Sequence, residues 1–302
     1  MSETVISVSG LHKSYGDFEA VRGLDLEVEA GEIFAFLGPN GAGKTTTTEI
    51  LEGYRERSAG EVSVLGEDPA KANREWHERI GIVLQQCRMR PELTVRETLE
   101  LYAGYYREPS GVDETIEHVG LGAKAEARAG ALSGGQLRRL DVGVALIGDP
   151  DLLFLDEPTT GFDPTARRQF WSLIAGLREL GKTVFLTTHY MDEAQVLADR
   201  VAIVVGGKII AEGPPDELGS TAATTEIRFR PPDGVAVTDL PLASAARTED
   251  GRLVIARTND PVRALNELTS WALQGGYELP GLEVGTPSLE DIYIELTSGA
   301  SE

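Results

Sequence analysis

The chain of 302 residues is 41% hydrophobic and 25% charged, ordinary for a soluble globular protein and long enough for two domains. Its formal net charge of −21, without clustered Lys or Arg, argues against extended binding to nucleic acid and against broad contact with acidic lipid headgroups; the dispersed acids read as solvated faces. A single cysteine, Cys87, excludes an internal disulfide and a cysteine-based zinc site, no stretch approaches ~18 consecutive apolar residues, and the opening MSETVISV lacks the features of a secretory signal.

Residues 5–9 form a short β pattern, and LDLEV at 24–28 alternates as a half-buried strand does. Residues 32–37 are a compact apolar run ending in a glycine loop, so a strand is expected there. A helix over 44–54 follows, broken only by Gly53, and then strands over 61–65 and 80–84. Between 92 and 131 the apolar period becomes helical through Leu93, Val95, Leu99 and Tyr102, with Pro109, Gly111, Gly120 and Gly122 interrupting it. This predicts a mostly helical insertion, about residues 86–131, in a strand-rich core.

The pattern continues as helix 133–147, strand 152–155, helix 167–180, strand 183–187, helix 191–198 and strand 201–205. Strands alternating with helices of this length predict an α/β fold with a largely parallel sheet and crossover helices. After Gly213 the composition turns to Pro, Gly and small polar residues, a linker over 214–225 with a short helix in it. Beyond it come strands at 226–229 and 252–256 and a helix that Asp260 and Pro261 set up as cap and first position. A short strand at 282–284 precedes a last helix over 288–296, with Ser288 and Asp291 spaced as a capping box. The expected organisation is a main domain over 1–213 and a small accessory α/β domain over 226–302 with no recognisable catalytic constellation.

Three segments carry chemistry. Gly38, Pro39, Asn40, Gly41, Ala42, Gly43, Lys44 and Thr45 satisfy G-x-x-x-x-G-K-[ST] in full, between a strand and a helix as that motif requires. Glycines let backbone N–H groups close on phosphate oxygens, the helix N-terminus adds its positive end, Lys44 reaches the β- and γ-phosphates, and the Thr45 hydroxyl is a Mg²⁺ ligand, with Thr46 beside it. No third glycine follows Gly41 and Gly43 at the G-x-G-x-x-G spacing, so a dinucleotide site is excluded.

The run LLFL at 152–155 delivers Asp156 and Glu157 to the end of a strand, where ligands bind in parallel sheets. Alone this is a common solvated turn; behind a complete phosphate loop, Asp156 reads as a Mg²⁺ carboxylate and Glu157 as the base that polarises water. Ser133, Gly134, Gly135 and Gln136 have the S-x-x-Q form of a capping box. Two glycines behind a cap weaken a helix, so their presence points to a second phosphate approaching the backbone. Spacing leaves open whether the two half-sites meet within one chain or across two.

With LSGGQ at 132–136 between the phosphate loop and LLFLDEP, residues 5–213 resemble the nucleotide-binding subunits of ATP-binding cassette (ABC) transporters. The resemblance implies a P-loop NTPase core with antiparallel β and helical subdomains. It implies that Tyr15 in KSYGDF stacks on adenine, that Gln85 senses Mg²⁺ and the attacking water, that Asp163 in TTGFDP lies in the loop linking two subunits, and that His189 in TTHYMDEA contacts the γ-phosphate. Gln86 follows Gln85, so either fits that register, and Phe162 stands where the family has a smaller aliphatic residue. His12, His77, His118 and Cys87 match no motif.

The resemblance further implies head-to-tail docking with a second copy or a similar chain, each ATP lying between one phosphate loop and the other chain's LSGGQ. The helical insertion would meet a separate multi-span membrane permease, leaving this chain peripheral on the cytoplasmic face of the membrane. The ending PSLEDIYIELT is similar to export ATPases of the daunorubicin-resistance type, which implies efflux of a drug, antibiotic or lipid. The alternatives are an importer ATPase, or a soluble ABC ATPase acting on nucleic acid or ribosomes. The short, irregular stretch over 46–131 and the single cassette weigh against the soluble ATPase.

Overall fold

The computed structural model describes residues 3–86, 89–218, 225–232, 234–242, 245–247, 253–285 and 289–298. Cys87, Ser288 (with the capping box expected there) and residues 219–224 of the linker lie outside them; of the linker's other residues, 215–218 form turns. The chain divides into two compact units, Met1–Pro214 and Pro215–Glu302.

The first unit opens with an antiparallel hairpin, β1 (Thr4–Tyr15) and β2 (Phe18–Glu29). Both strands outrun their apolar cores, because the ladder runs out to Tyr15 and Phe18 through residues whose alternate side chains face solvent. β3 (Ile33–Leu37) is buried at every position, as a strand covered on both faces must be. α1 (Lys44–Leu51) is a turn shorter than the sequence suggests, since Gly53 takes φ +79° and closes it. β4 (Ala59–Val64) pairs with β1 to complete a three-stranded antiparallel sheet. α2 (Arg74–Glu78) left no periodic trace in sequence; Asn73 caps it, and it carries Trp76 into the core, where Nε1 donates to the Val64 carbonyl at 2.8 Å.

After β5 (Ile80–Val83) the insertion holds α3 (Val95–Ala103), with a Thr94–Glu97 capping box, and α4 (Val112–His118). Short 3₁₀ turns and loops fill the remainder up to Ala131, because Pro and Gly break the helical period. There follow α5 (Gly134–Leu146), β6 (Leu152–Asp156), α6 (Pro164–Glu179), β7 (Thr183–Thr188), α7 (Met191–Leu197), β8 (Arg200–Val205) and β9 (Lys208–Gly213).

These build a six-stranded sheet in the order β5-β6-β7-β3-β8-β9, parallel except for β9. β9 was not foreseen; it folds back on β8 across Gly206 and Gly207, a two-residue hairpin signal. Alternate strand residues enter two cores. Phe34, Phe36 and Phe154 surround Phe185 with ring centroids 5.6–5.9 Å apart and pack with the β1–β2 hairpin. Ile33, Leu153, Leu155, Val184 and Leu186 pack with Leu99, Leu140 and Phe170 of the helices.

The second unit comprises β10 (Thr225–Phe229), β11 (Ala245–Arg247), β12 (Val254–Thr258), α8 (Pro261–Gly275), β13 (Glu283–Gly285) and α9 (Leu289–Ser298). Its sheet runs β11-β12-β10-β13, antiparallel throughout. Asp260 caps α8 through the Arg263 amide, and Ala264 and Leu268 pack on Ile227, Phe229 and Val254.

Candidate functional site

Two of the clefts among the described residues of the first unit are lined by the residues singled out from the sequence. One, of about 390 Å³, is lined by Tyr15, Phe18, Pro39, Asn40, Gly41, Gly43, Lys44, Thr45, Thr46, Arg55 and Glu157. The phosphate loop leaves β3 at Gly38, whose amide bonds the Thr188 carbonyl, and enters α1 at Gly43. Gly43 takes φ +103°, and a Cβ there would sit 2.7 Å from the Ala20 carbonyl oxygen. At Gly38 a Cβ would meet the Val204 carbonyl oxygen at 2.4 Å, so both glycines are dictated by space as well as by phosphate access. Ala42 is buried against the same strand ends. Lys44, 5% exposed, folds back over the loop, with Nζ donating to the carbonyls of Gly38 at 2.7 Å and Pro39 at 3.2 Å. These are neutral acceptors, weaker partners for an ammonium than an anion such as a phosphate would be.

β6 and β7 bring the carboxylates beside this loop. Thr187 is the ladder partner of Asp156, and its hydroxyl donates to Asp156 Oδ1 and accepts from the Glu157 amide at 3.1 Å. Asp156 is half-buried; that desolvation, together with the neighbouring Glu157 charge, raises its pKa, while the Thr187 bond opposes the rise. Its Oδ2 has no hydrogen bond among the described residues. A hydroxyl (Thr45) and an open carboxylate oxygen make a hard-oxygen donor set that suits Mg²⁺ completed by phosphate and water. Nearby, Glu52 at the end of α1 is buried, and desolvation, then the charges of Asp156 and Glu49, push its carboxyl up to about 8. Burial thus favours its neutral form.

Glu157 is the centre of the site. Its backbone is left-handed at φ +43°, a conformation costing a non-glycine residue roughly 1–2 kcal/mol, and the Thr187 bonds hold it there. The turn aims its carboxylate at four groups from four segments. Lys44 Nζ lies 3.4 Å from Oε1, His189 Nδ1 3.3 Å from Oε1, Gln85 Nε2 3.2 Å from Oε2, and Thr160 Oγ1 3.4 Å from Oε2. The His189 contact is an ion-pair distance only, since Nδ1 makes no hydrogen bond there; its ring instead lies on Tyr190, centroids 4.1 Å apart. Of the adjacent glutamines, Gln85 is the one whose amide reaches Glu157. Tyr15, 41% exposed, also lines this cleft, with the cations of Lys13 and Arg55 beside its ring.

The second cleft, about 350 Å³, is lined by Ser133, Gly134, Gly135, Gln136, Arg139, Phe162, Asp163 and Ala166, among others, and shares no lining residue with the first. Ser133 and Gln136 form the expected capping box at the start of α5: the Ser133 amide donates to Gln136 Oε1 at 3.0 Å and the Gln136 amide to Ser133 Oγ at 3.3 Å. Asp163 caps α6, its Oδ1 accepting from the Thr165 and Ala166 amides at 2.9 Å. Phe162 meets Phe170 edge-on, so the large ring is accommodated by aromatic packing.

A Cβ at Gly134 would touch nothing within 4 Å, and one at Gly135 would only graze Ala166 Cβ at 3.9 Å. Packing within the chain therefore does not require these glycines, unlike Gly38 and Gly43. Gly135→Ala is expected to raise stability by up to about 1 kcal/mol through helix propensity while lowering ATP turnover. Denaturant melts beside turnover assays check this; an alanine variant with wild-type turnover would remove the reason for the glycine.

Sequence reasoning missed Arg138. This guanidinium, 5% exposed, projects from α5 with Nε donating to the Pro158 carbonyl at 3.0 Å, Nη2 to the Asp156 carbonyl at 3.1 Å, and Nη1 to the Leu84 carbonyl and to Asp141 at 3.0 Å. It ties the helix behind LSGGQ to the chain that carries Gln85, Asp156 and Glu157. The pair Arg138-Arg139 looks like any solvated basic pair in sequence, and only the i,i+3 acid Asp141 hints at burial. Glu193 was missed too: buried on α7, it accepts from Thr159 Oγ1 at 2.8 Å and Trp171 Nε1 at 3.1 Å, bracing the loop after Glu157.

Residues 21–160 match the family described as ABC transporter, and residues 225–288 match the C-terminal domain of ABC transporter domain-containing protein-like. The chain is 38% identical to daunorubicin resistance ATP-binding protein DrrA3 of Streptomyces coeruleorubidus, over 98% of this chain and 97% of that protein. It is 39% identical to Nod factor export ATP-binding protein I of Burkholderia orbicola, over 98% of each. Among solved structures it resembles the dimeric post-hydrolysis ATP-binding cassette MJ0796 bound to ADP and Pi, with TM-score 0.61 and 26% identity over 69% of this chain and 98% of that one. Among the described residues, no helix is long and apolar enough to cross a membrane.

Proposed function

This chain belongs to the ATP-binding subunits of ABC transporters, and on that premise we propose that it is the ATPase that powers export of a drug-like or lipid-like molecule through a separate multi-span membrane protein. The observation that carries the catalytic part is the convergence of Lys44, Gln85 and His189 on the Glu157 carboxylate beside a complete phosphate loop. ATP binds with its base at Tyr15 and its phosphates along Gly38 to Thr46, displacing the carbonyls that now hold Lys44. Thr45 and Asp156 would hold Mg²⁺, which supplies neutralising charge at the β- and γ-phosphates. Glu157 orients the attacking water and takes its proton, Gln85 fixes the position of that carboxylate, and Lys44 and His189 stabilise charge developing on the γ-phosphate.

Ser133, Gly134, Gly135 and Gln136 serve a different nucleotide. Their cleft is separate from the phosphate-loop cleft, so a second subunit, a copy of this chain or one like it, supplies the other half of each site. The dimer of a related cassette supports this reading. Asp163, in the same cleft, belongs to the contact between subunits. The names of the two relatives, one of drug resistance and one of export, support efflux over uptake.

The test is co-expression with a candidate multi-span membrane partner, followed by co-purification and transport assays in inverted vesicles. We expect a stable complex and ATP-dependent movement of a drug or lipid substrate out of the cytoplasmic side. Stimulation of the ATPase by ribosomes or nucleic acid with no membrane partner would overturn the proposal, as would net uptake.

A further inference from the structure

Arg55 belongs to no nucleotide motif, yet it lines the phosphate-loop cleft together with Tyr15. Its placement follows from the chain: Gly53 ends α1, and the Arg55 amide returns to the Glu49 carbonyl at 3.0 Å. The side chain thereby runs back along the helix, where Nε donates to Glu49 Oε2 at 2.5 Å. Cζ then lies 5.4 Å from the centroid of the Tyr15 ring. Lys13 Nζ is 5.1 Å from the same ring, but it is bonded to the Glu56 carbonyl at 2.7 Å and is not part of the cleft wall. Of the two cations at Tyr15, Arg55 is the one a nucleotide meets.

We propose that Arg55 is a base-contacting residue of this site: its guanidinium and the Tyr15 ring together form the nucleobase pocket, with Glu49 as the positioning partner of Arg55. The inference rests on the reading that ATP binds in this cleft with its base at Tyr15. A guanidinium is planar and weakly hydrated, so it packs against aromatic faces as well as donating hydrogen bonds. Glu49 holds Nε and the Tyr15 hydroxyl also interacts with the guanidinium, so the fork is tied to the ring it accompanies; holding it in place lowers the entropy cost of turning its remaining N–H groups to acceptors on a purine. A purine offers more stacking surface and more ring acceptors than a pyrimidine. The pocket therefore selects purine triphosphates, through a residue outside the phosphate machinery.

The experiment is equilibrium binding of ATP, CTP and inorganic tripolyphosphate to the full chain and to Arg55→Ala, Arg55→Lys, Glu49→Gln and Tyr15→Ala. Arg55→Ala should weaken ATP about tenfold, narrow the ATP-to-CTP preference and leave tripolyphosphate unchanged. Arg55→Lys, which keeps charge without the plane, and Glu49→Gln, which loosens the fork, should fall between. Undiminished ATP binding by Arg55→Ala overturns the proposal; so does an equal loss for ATP and tripolyphosphate, which would make Arg55 a long-range charge or a folding element. If Tyr15→Ala also binds ATP normally, the base lies elsewhere and the underlying reading of the cleft fails. If Tyr15→Ala is weakened and Arg55→Ala is not, only the role of Arg55 fails.

Discussion

Glu157→Gln is expected to bind ATP, lose about 10²–10⁴-fold in hydrolysis, and accumulate ATP-bound dimers. The substitution is nearly isosteric, so it tests chemistry more than packing. In the native site Gln85 and Thr160 donate to Oε2 of the Glu157 carboxylate, while Lys44 and His189 lie at ion-pair distance from Oε1. An amide satisfies one side with its oxygen and presents N–H groups to donors on the other. The exposed geometry around Gln85 lets one contact swing to water, so the fold should survive with a small loss of stability. What the amide cannot do is take a proton from water. ATP should then stay trapped between subunits, and size-exclusion chromatography with ATP should show a dimer that the native protein forms only transiently. Turnover near the native rate would show that Glu157 only orients Lys44 and His189, and another base would have to be found.

How much of this was legible in the sequence depended on how local the cause was. The phosphate loop was readable because every constraint is set by adjacent residues: Gly43 needs its left-handed backbone, and Lys44 must start the helix. The Ser133–Gln136 box was readable for the same reason, being a contact between residues three apart. Asp156 and Glu157 were locatable, yet the strained turn at Glu157 was not, since it depends on Thr187 from a neighbouring strand. Gln85 against Gln86 was undecidable until the strand end was placed beside Glu157. α2 was too short to show a period, and β9 hid its alternation behind two glycines that signalled only a turn. Arg55 and Arg138 were invisible because what they touch is distant in sequence, or is backbone that any residue supplies.

Arg138→Ala is expected to destabilise the first unit by about 3–5 kcal/mol although it lies outside the nucleotide motifs. The Pro158 carbonyl would lose the Arg138 donor in a buried setting, the Leu84 and Asp156 carbonyls would lose it in partly buried ones, and Asp141 would lose the Arg138 cation. Each unsatisfied group costs about 1–3 kcal/mol, relieved in part where water enters. Because loss of fold alone would abolish turnover, Arg138→Lys is the informative variant. It keeps a charge for Asp141 but lacks the fork that spans the carbonyls at the ends of β5 and β6. Those strand ends lead into Gln85 and Glu157, while α5 opens with the glycines proposed to meet a partner subunit's ATP. In Arg138→Lys the helix and the carboxylates are no longer held in one register, so turnover should fall more than tenfold while ATP binds with nearly native affinity. Thermal melts, ATP titrations and turnover on the same preparation separate the outcomes: equal losses in binding and turnover would make Arg138 a packing residue only, and a turnover loss alone would place it between the two half-sites as their mechanical link.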